Sequence, residues 1–150
     1  MKTKQQLFLI AALTIVALLL AACGGGGSSE SSAAPAGPQE FTLTVKDEFK
    51  FVPDALTVKA GEEVSITFEN TGTIPHSFVV LNPGVTPEDA VGASEEEQHD
   101  MLVMEMHEVN AGESGTETFT APSEPGEYTF ICAVPGHALA GMTGTLTVTN

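Results

Sequence analysis

The chain has 150 residues, 42% of them hydrophobic, and a formal charge of −15 from 20 acidic residues against five Lys. That length leaves room for one domain, and so acidic a surface repels phosphate, which makes nucleic acid and anionic lipid head groups poor partners. The same charge would keep the chain soluble, so acidity alone does not separate a docking role from plain solubility.

At the start, Lys2 and Lys4 precede an apolar run from Leu7 to Leu20, followed by Ala21, Ala22 and Cys23. This is the layout of a secretory signal peptide, too short to span a bilayer comfortably. Leu20-Ala21-Ala22-Cys23 resembles the bacterial lipobox, which implies a signal peptide over residues 1–22, cleavage before Cys23 and lipid on its sulfur. Without Lys2 and Lys4 the mature chain would carry −17. Residues 24–40, GGGGSSESSAAPAGPQE, hold almost nothing to bury. With Cys23 they read as a lipidated, flexible tether over 23–40, about 20 to 25 Å long as a coil. The protein is therefore expected outside the cytoplasm, in the periplasm or on the outer face of the cell membrane, held to the membrane through Cys23. Lipid on Cys23 leaves Cys132 without a disulfide partner, and a lone thiol in an oxidising compartment is vulnerable unless something occupies it. Metal ligation is the natural occupant.

Residues 41–150 read as one β domain. FTLTV at 41–45 and VSITFE at 64–69 alternate apolar and polar side chains, as half-buried strands do. Further strands are expected at 56–59, 76–81, 115–120, 127–132 and 144–149, separated by turn signals such as Ala60-Gly61-Glu62 and Glu124-Pro125-Gly126. Seven or eight short strands with polar turns imply a two-sheet sandwich. Thr86-Pro87-Glu88 can start a short turn of helix before Gly92. Ser94 opens a capping box with Glu97, and Leu102, Met106 and Val109 follow at helical spacing, which predicts one amphipathic helix over 95–108.

The chemistry gathers before the final strand. CAVPGHALAGM, residues 132–142, sets Cys132, His137 and Met142 at Cys-x4-His-x4-Met. His76 follows the strand break Thr73-Ile74-Pro75 and can supply a fourth ligand. Singly, each has an ordinary reading: a solvated or core histidine, a packing methionine, a buried cysteine. Together, two imidazoles, one thiolate and a long thioether contact suit copper in both oxidation states, whereas a thioether is a poor partner for zinc. Met101, Met104, Met106, His99 and His107 could hold extra Cu(I), as in a copper-delivery protein, but more simply some of these methionines face the core. A metal-free structural sandwich would require all four ligand positions to be accidental.

Over residues 40–150 the chain resembles the cupredoxins, the type 1 blue copper proteins. The resemblance is carried by FKFVPDALTVKAGEEVSITFENTGTIPHSFVV, by EYTFICAVPGH and by a ligand loop similar to those of auracyanin, rusticyanin and azurin-like members. It implies an all-β, eight-stranded Greek-key sandwich with a short flanking helix and one copper at one end, bound by His76, Cys132, His137 and Met142. It also implies a monomeric carrier of single electrons, cycling Cu(II) and Cu(I) between extracytoplasmic redox proteins such as cytochromes or a membrane oxidoreductase. No enzymatic activity is expected, because protein side chains fill every strong ligand position and no base or nucleophile pair lies beside them. His137 should lie near the surface within an apolar rim of Pro135, Ala138, Leu139, Ile74 and Pro75. Two departures stand out: Ser77 replaces the Asn common after the first ligand histidine, and an acidic insertion follows where azurin-like members have a helical flap.

Overall fold

The structure is a computed structural model that describes residues 37–150; the expected signal peptide, the lipid-bearing Cys23 and most of the tether lie outside the described residues. Alternation builds the strands as expected. In β1 (Gln39–Val45), Leu43 and Val45 are buried while Thr42 is exposed, and in β4 (Glu63–Asn70) Val64, Ile66, Phe68 and Asn70 are buried. β1 begins two residues before the expected domain start.

Two sheets form. One has the order β2 (Phe51–Val52), β1, β4, β7 (Ser114–Thr120). The other runs β3 (Ala55–Lys59), β9 (Thr143–Thr149), β8 (Gly126–Ile131), β5 (His76–Leu81), β6 (Leu102–Val109). β1 pairs with β4 in parallel and β3 with β9 in parallel, while the other pairings are antiparallel. Parallel neighbours cannot be joined by a hairpin, so the chain must cross between the sheets, and the result is the Greek-key sandwich that the sequence implied.

Four rings fill the space between the sheets. Phe51 stands 5.1 Å from Phe130 and 5.9 Å from Phe78, centroid to centroid, and Phe68 lies 6.2 Å from Phe51. Such tilted and edge-on pairs add about 0.5–1.5 kcal/mol each beyond the area they bury. β5 is buried along its whole length because both of its faces are covered. Phe78 and Val80 join the main core, whereas Val79 and Leu81 join Ile131, Ala138 and Ala90 in a smaller cluster on the outer face. Ala90 belongs to α1 (Pro87–Gly92), which a capping box between Thr86 and Asp89 starts.

The expected helix over 95–108 is wrong beyond its first half. The Ser94–Glu97 capping box is real, and Ser94 N–H donates to the Glu97 carboxylate at 3.1 Å, but α2 (Glu95–Met101) ends there. Residues 102–109 instead form β6, with Met104 and Met106 inward and Glu105 and His107 outward. Pairing with the central strand β5 satisfies that backbone and buries both methionines, an outcome local helical spacing cannot foresee. The sandwich therefore has two short flanking helices rather than one longer helix.

Gly144 shows how closely the core is fitted. It lies opposite Phe130, and a Cβ there would collide with the Phe130 ring and the Asp54 carbonyl. Gly144→Ala is expected to destabilise the fold by about 1–3 kcal/mol, the usual cost of overpacking, read as a lower denaturation midpoint with an unchanged slope. An unaltered midpoint would mean that Phe130 does not cover Gly144.

Candidate metal centre

β5 and β8 are antiparallel neighbours, so the start of one and the end of the other meet at the same end of the sheet. His76 opens β5, Cys132 directly follows β8, and Met142 directly precedes β9. Strand periodicity then aims two of these side chains. Phe78 and Phe130 point into the core, and residues two positions away share their face, so His76 and Cys132 also point inward.

The loop 133–141 brings in the other two. Met142 N–H donates to the His137 carbonyl at 3.0 Å, and Cys132 N–H donates to the Met142 carbonyl at 3.1 Å, so the loop's base ties these three residues together. A tight turn between them carries bonds from Ala140 N–H to the Gly136 carbonyl and from Gly141 N–H to the Ala138 carbonyl. Gly136 and Gly141 have φ of 86° and 98°, the left-handed region that only glycine enters freely. Ala138 anchors the loop in the outer apolar cluster.

The four expected residues come to the same end of the sandwich. His76, Cys132 and Met142 are 0% exposed and His137 is 9% exposed. Nδ1 of His137 lies 3.4 Å from Cys132 Sγ and Nδ1 of His76 lies 3.8 Å from it. His76, Cys132 and His137 are the only group of three or more His, Cys, Asp or Glu among the described residues with ligand atoms this close. The sulfur also accepts Ser77 N–H at 3.3 Å, and Ser77 Oγ stands 3.8 Å away while accepting Ala133 N–H at 2.8 Å. A serine thus keeps a hydrogen-bonded bridge between the two ligand segments where the family commonly has Asn. Donors aimed at sulfur suit a thiolate.

Burial holds the His76 imidazole below its ordinary value of 6.5 and repulsion from His137 adds to this, although Asp47 and the Lys46 backbone oppose it. Burial likewise lowers His137, against an opposing attraction from Glu108. Both rings therefore stay neutral at neutral pH with lone pairs free for a metal. A buried set of two imidazole nitrogens facing one sulfur, with Met142 tied to the same loop base, fits copper.

Without metal, this centre makes the fold acid-sensitive. Unfolded imidazoles take up protons near pH 6.5, whereas the folded rings resist protonation, so the unfolded state binds more protons as pH falls below 6.5 and stability drops. The copper-free protein is expected to melt at lower temperature at pH 5 than at pH 7, with a smaller difference in His76→Gln. Calorimetry showing no change over that range would contradict the burial of neutral rings.

Sequence reasoning missed Phe49. Its ring makes an edge-on contact with His137 at 4.6 Å and lies 6.4 Å from His76. His137 is therefore covered on one side by an aromatic residue, and of the expected rim Leu139 is exposed whereas Ala138 is buried in the outer cluster instead. An aromatic residue among the charges of Lys46-Asp47-Glu48-Phe49-Lys50 was the available signal. The Met and His residues of 99–107 are divided: Met104 and Met106 are buried in the core, Met101 is half-buried, and His99 and His107 are exposed.

A family model described as copper binding proteins, plastocyanin/azurin family, matches residues 39–149. Auracyanin-B of Chloroflexus aurantiacus is 36% identical over 115 residues, which cover 69% of this chain and 48% of that protein. Plastocyanin of Nostoc punctiforme is 36% identical over 105 residues, covering 70% and 68%. The chain thus spans about half the length of the auracyanin-B that it matches. Among solved structures, auracyanin B superposes with a TM-score of 0.66 at 33% identity, covering 83% of this chain and 97% of that one. Reduced auracyanin from Roseiflexus castenholzii gives a TM-score of 0.64 at 27% identity, covering 77% and 100%.

Proposed function

Because the chain belongs to the plastocyanin/azurin family of copper-binding proteins, we propose that it is a type 1 blue copper electron carrier with one copper held by His76, Cys132, His137 and Met142. The observation that carries this reading is the convergence of both histidine Nδ1 atoms on Cys132 Sγ within a buried site. Copper bound there supplies a one-electron couple between Cu(II) and Cu(I). The protein does the rest. His76, Cys132 and Met142 are sealed from solvent, and with His137 they would supply protein donors for the copper, which favours electron carriage over catalysis. The rigid loop base holds the ligand side chains in one arrangement, so little movement opposes transfer. His137, the least buried of the four ligands, packs against Phe49, and exposed Leu139 lies two residues from His137 in sequence, so partners dock at this end. Those partners are extracytoplasmic redox proteins. The lipobox-like Leu20-Ala21-Ala22-Cys23 and the Gly/Ser-rich stretch after it support a tether to a membrane by lipid on Cys23, with the domain free to turn.

Titration of the copper-free protein with Cu(II), and separately with Cu(I) kept reduced under an added reductant, followed by absorption and metal analysis, tests the reading. One equivalent producing an intense visible band is expected. No uptake, or several colourless Cu(I) equivalents, would replace the carrier with a structural module or a copper-delivery protein.

A further inference from the structure

We propose that Asn70 and Asp47 are positioning residues for His76: together they fix residues 71–75, the segment that delivers this imidazole to the metal centre. The inference rests on His76 being a copper ligand.

Asn70 is the last residue of β4 and the one polar member of its buried row, at 1% exposure. Its side-chain amide donates to the Ile74 carbonyl at 2.8 Å and to the Val109 carbonyl at 2.9 Å, and its Oδ1 accepts Gly72 N–H at 3.0 Å. Ile74 lies two residues before His76, and Val109 is the partner of His76 across the β5–β6 ladder. One buried side chain therefore grips the approach to His76 along the chain and across the sheet. Its own backbone is fixed too, since Asn70 N–H donates to the Glu113 carbonyl at 3.0 Å and its carbonyl accepts Gly112 N–H at 2.9 Å.

Asp47 holds the same segment from the other side. Its carboxylate accepts Thr73 N–H at 2.7 Å and the Thr73 hydroxyl at 3.0 Å, bonds that hold its carboxyl below the usual range and keep it charged at neutral pH. Gly72 passes so close that a Cβ there would strike the Asp47 carboxylate. Between these grips, Thr71 N–H donates to the Val45 carbonyl at 3.0 Å. The Asp47 loop also carries Phe49, which packs on His137. The Asp47–Thr73 clip thus joins the supports of both imidazoles. Groups that orient a ligand without touching the metal commonly govern its retention by 10–100-fold.

The test separates orientation from general stability. Asn70→Ala, Asp47→Ala and Asp47→Asn are compared with Tyr128→Phe, which loses a part-buried hydroxyl bond to the Glu124 carbonyl outside residues 71–75. Copper loss to a chelator and the paramagnetic resonance spectrum are measured on loaded protein, and amide exchange at Gly72 and Thr73 on copper-free protein. Asn70→Ala is expected to lose copper about tenfold faster or more, with an altered spectrum and faster exchange at Gly72. Asp47→Ala should show a smaller effect centred on Thr73, and Asp47→Asn should recover part of it because its amide oxygen still accepts the Thr73 N–H. Tyr128→Phe should lose stability yet keep copper and spectrum as in wild type. Should Asn70→Ala fail to fold, the pair at exposed Asp47 decides. Wild-type copper loss and spectra in the Ala variants, or equal acceleration in Tyr128→Phe, would overturn the inference alone. A blue His76→Ala protein would remove the ligand assignment and the inference with it.

Discussion

Cys132→Ser is expected to fold, to hold copper weakly at most, and to lack the visible band entirely. The colour requires a covalent metal–thiolate contact, and a hydroxyl oxygen is a harder, less polarisable donor that cannot replace it. The substitution is nearly isosteric at a 0% exposed position where Ser77 N–H already offers a hydrogen bond, so the cost to the fold should stay near 1–3 kcal/mol, the usual range for a partly compensated buried hydroxyl. Far-ultraviolet circular dichroism establishes folding, and absorption after copper addition reads the site. A blue Cys132→Ser protein would remove Cys132 from the centre.

Leu139→Asp should slow electron transfer to a partner strongly while leaving the copper spectrum intact. Leu139 is 60% exposed, one of two exposed large hydrophobic residues among those described, and lies two residues from His137. A charge placed in a desolvated contact costs about 2 kcal/mol or more, so transfer should slow roughly thirtyfold when docking limits the rate. The competing view is that the acidic surface governs docking. Its field reaches only about 8 Å at physiological ionic strength, so that view demands a steep fall in rate with added salt. Stopped-flow transfer to a redox protein from the same envelope, over a range of salt, separates the two. Normal rates in Leu139→Asp together with strong salt dependence in both proteins would place docking on the acidic surface.

The metal centre was legible because its chemistry is concentrated: three donors sit in eleven consecutive residues, and a lone thiol demanded an occupant. β1 and β4 were legible because each buries one face. β6 was not, and its pairing shows why. Between Val109 opposite His76 and Met106 opposite Phe78, β6 spends three residues where β5 spends two, and a second register shift follows near Leu81. Such bulges break the two-residue alternation, so Leu102, Met106 and Val109 stand four and three residues apart, spacings that imitate a helix, although Met104 and Met106 keep the strand spacing of two. β2 was too short to show a period at all. Asn70 escaped notice because a polar side chain at the end of a strand reads as a turn former. Its role exists only once Ile74 and Val109 are brought to it.

β9 is paired on both sides, with β8 in antiparallel and with β3 in parallel, and Thr149 Oγ1 donates to the Val58 carbonyl 91 residues earlier. Closing so distant a pair spends much loop entropy before any contact rewards it, which places such sandwiches among the slow folders, on the order of milliseconds to seconds. The second sheet cannot close until β9 arrives, and the metal loop has no far anchor before then. During synthesis β3 therefore stays unjoined to the rest of its sheet, and the ligand loop stays without its far strand, until residues 143–149 emerge.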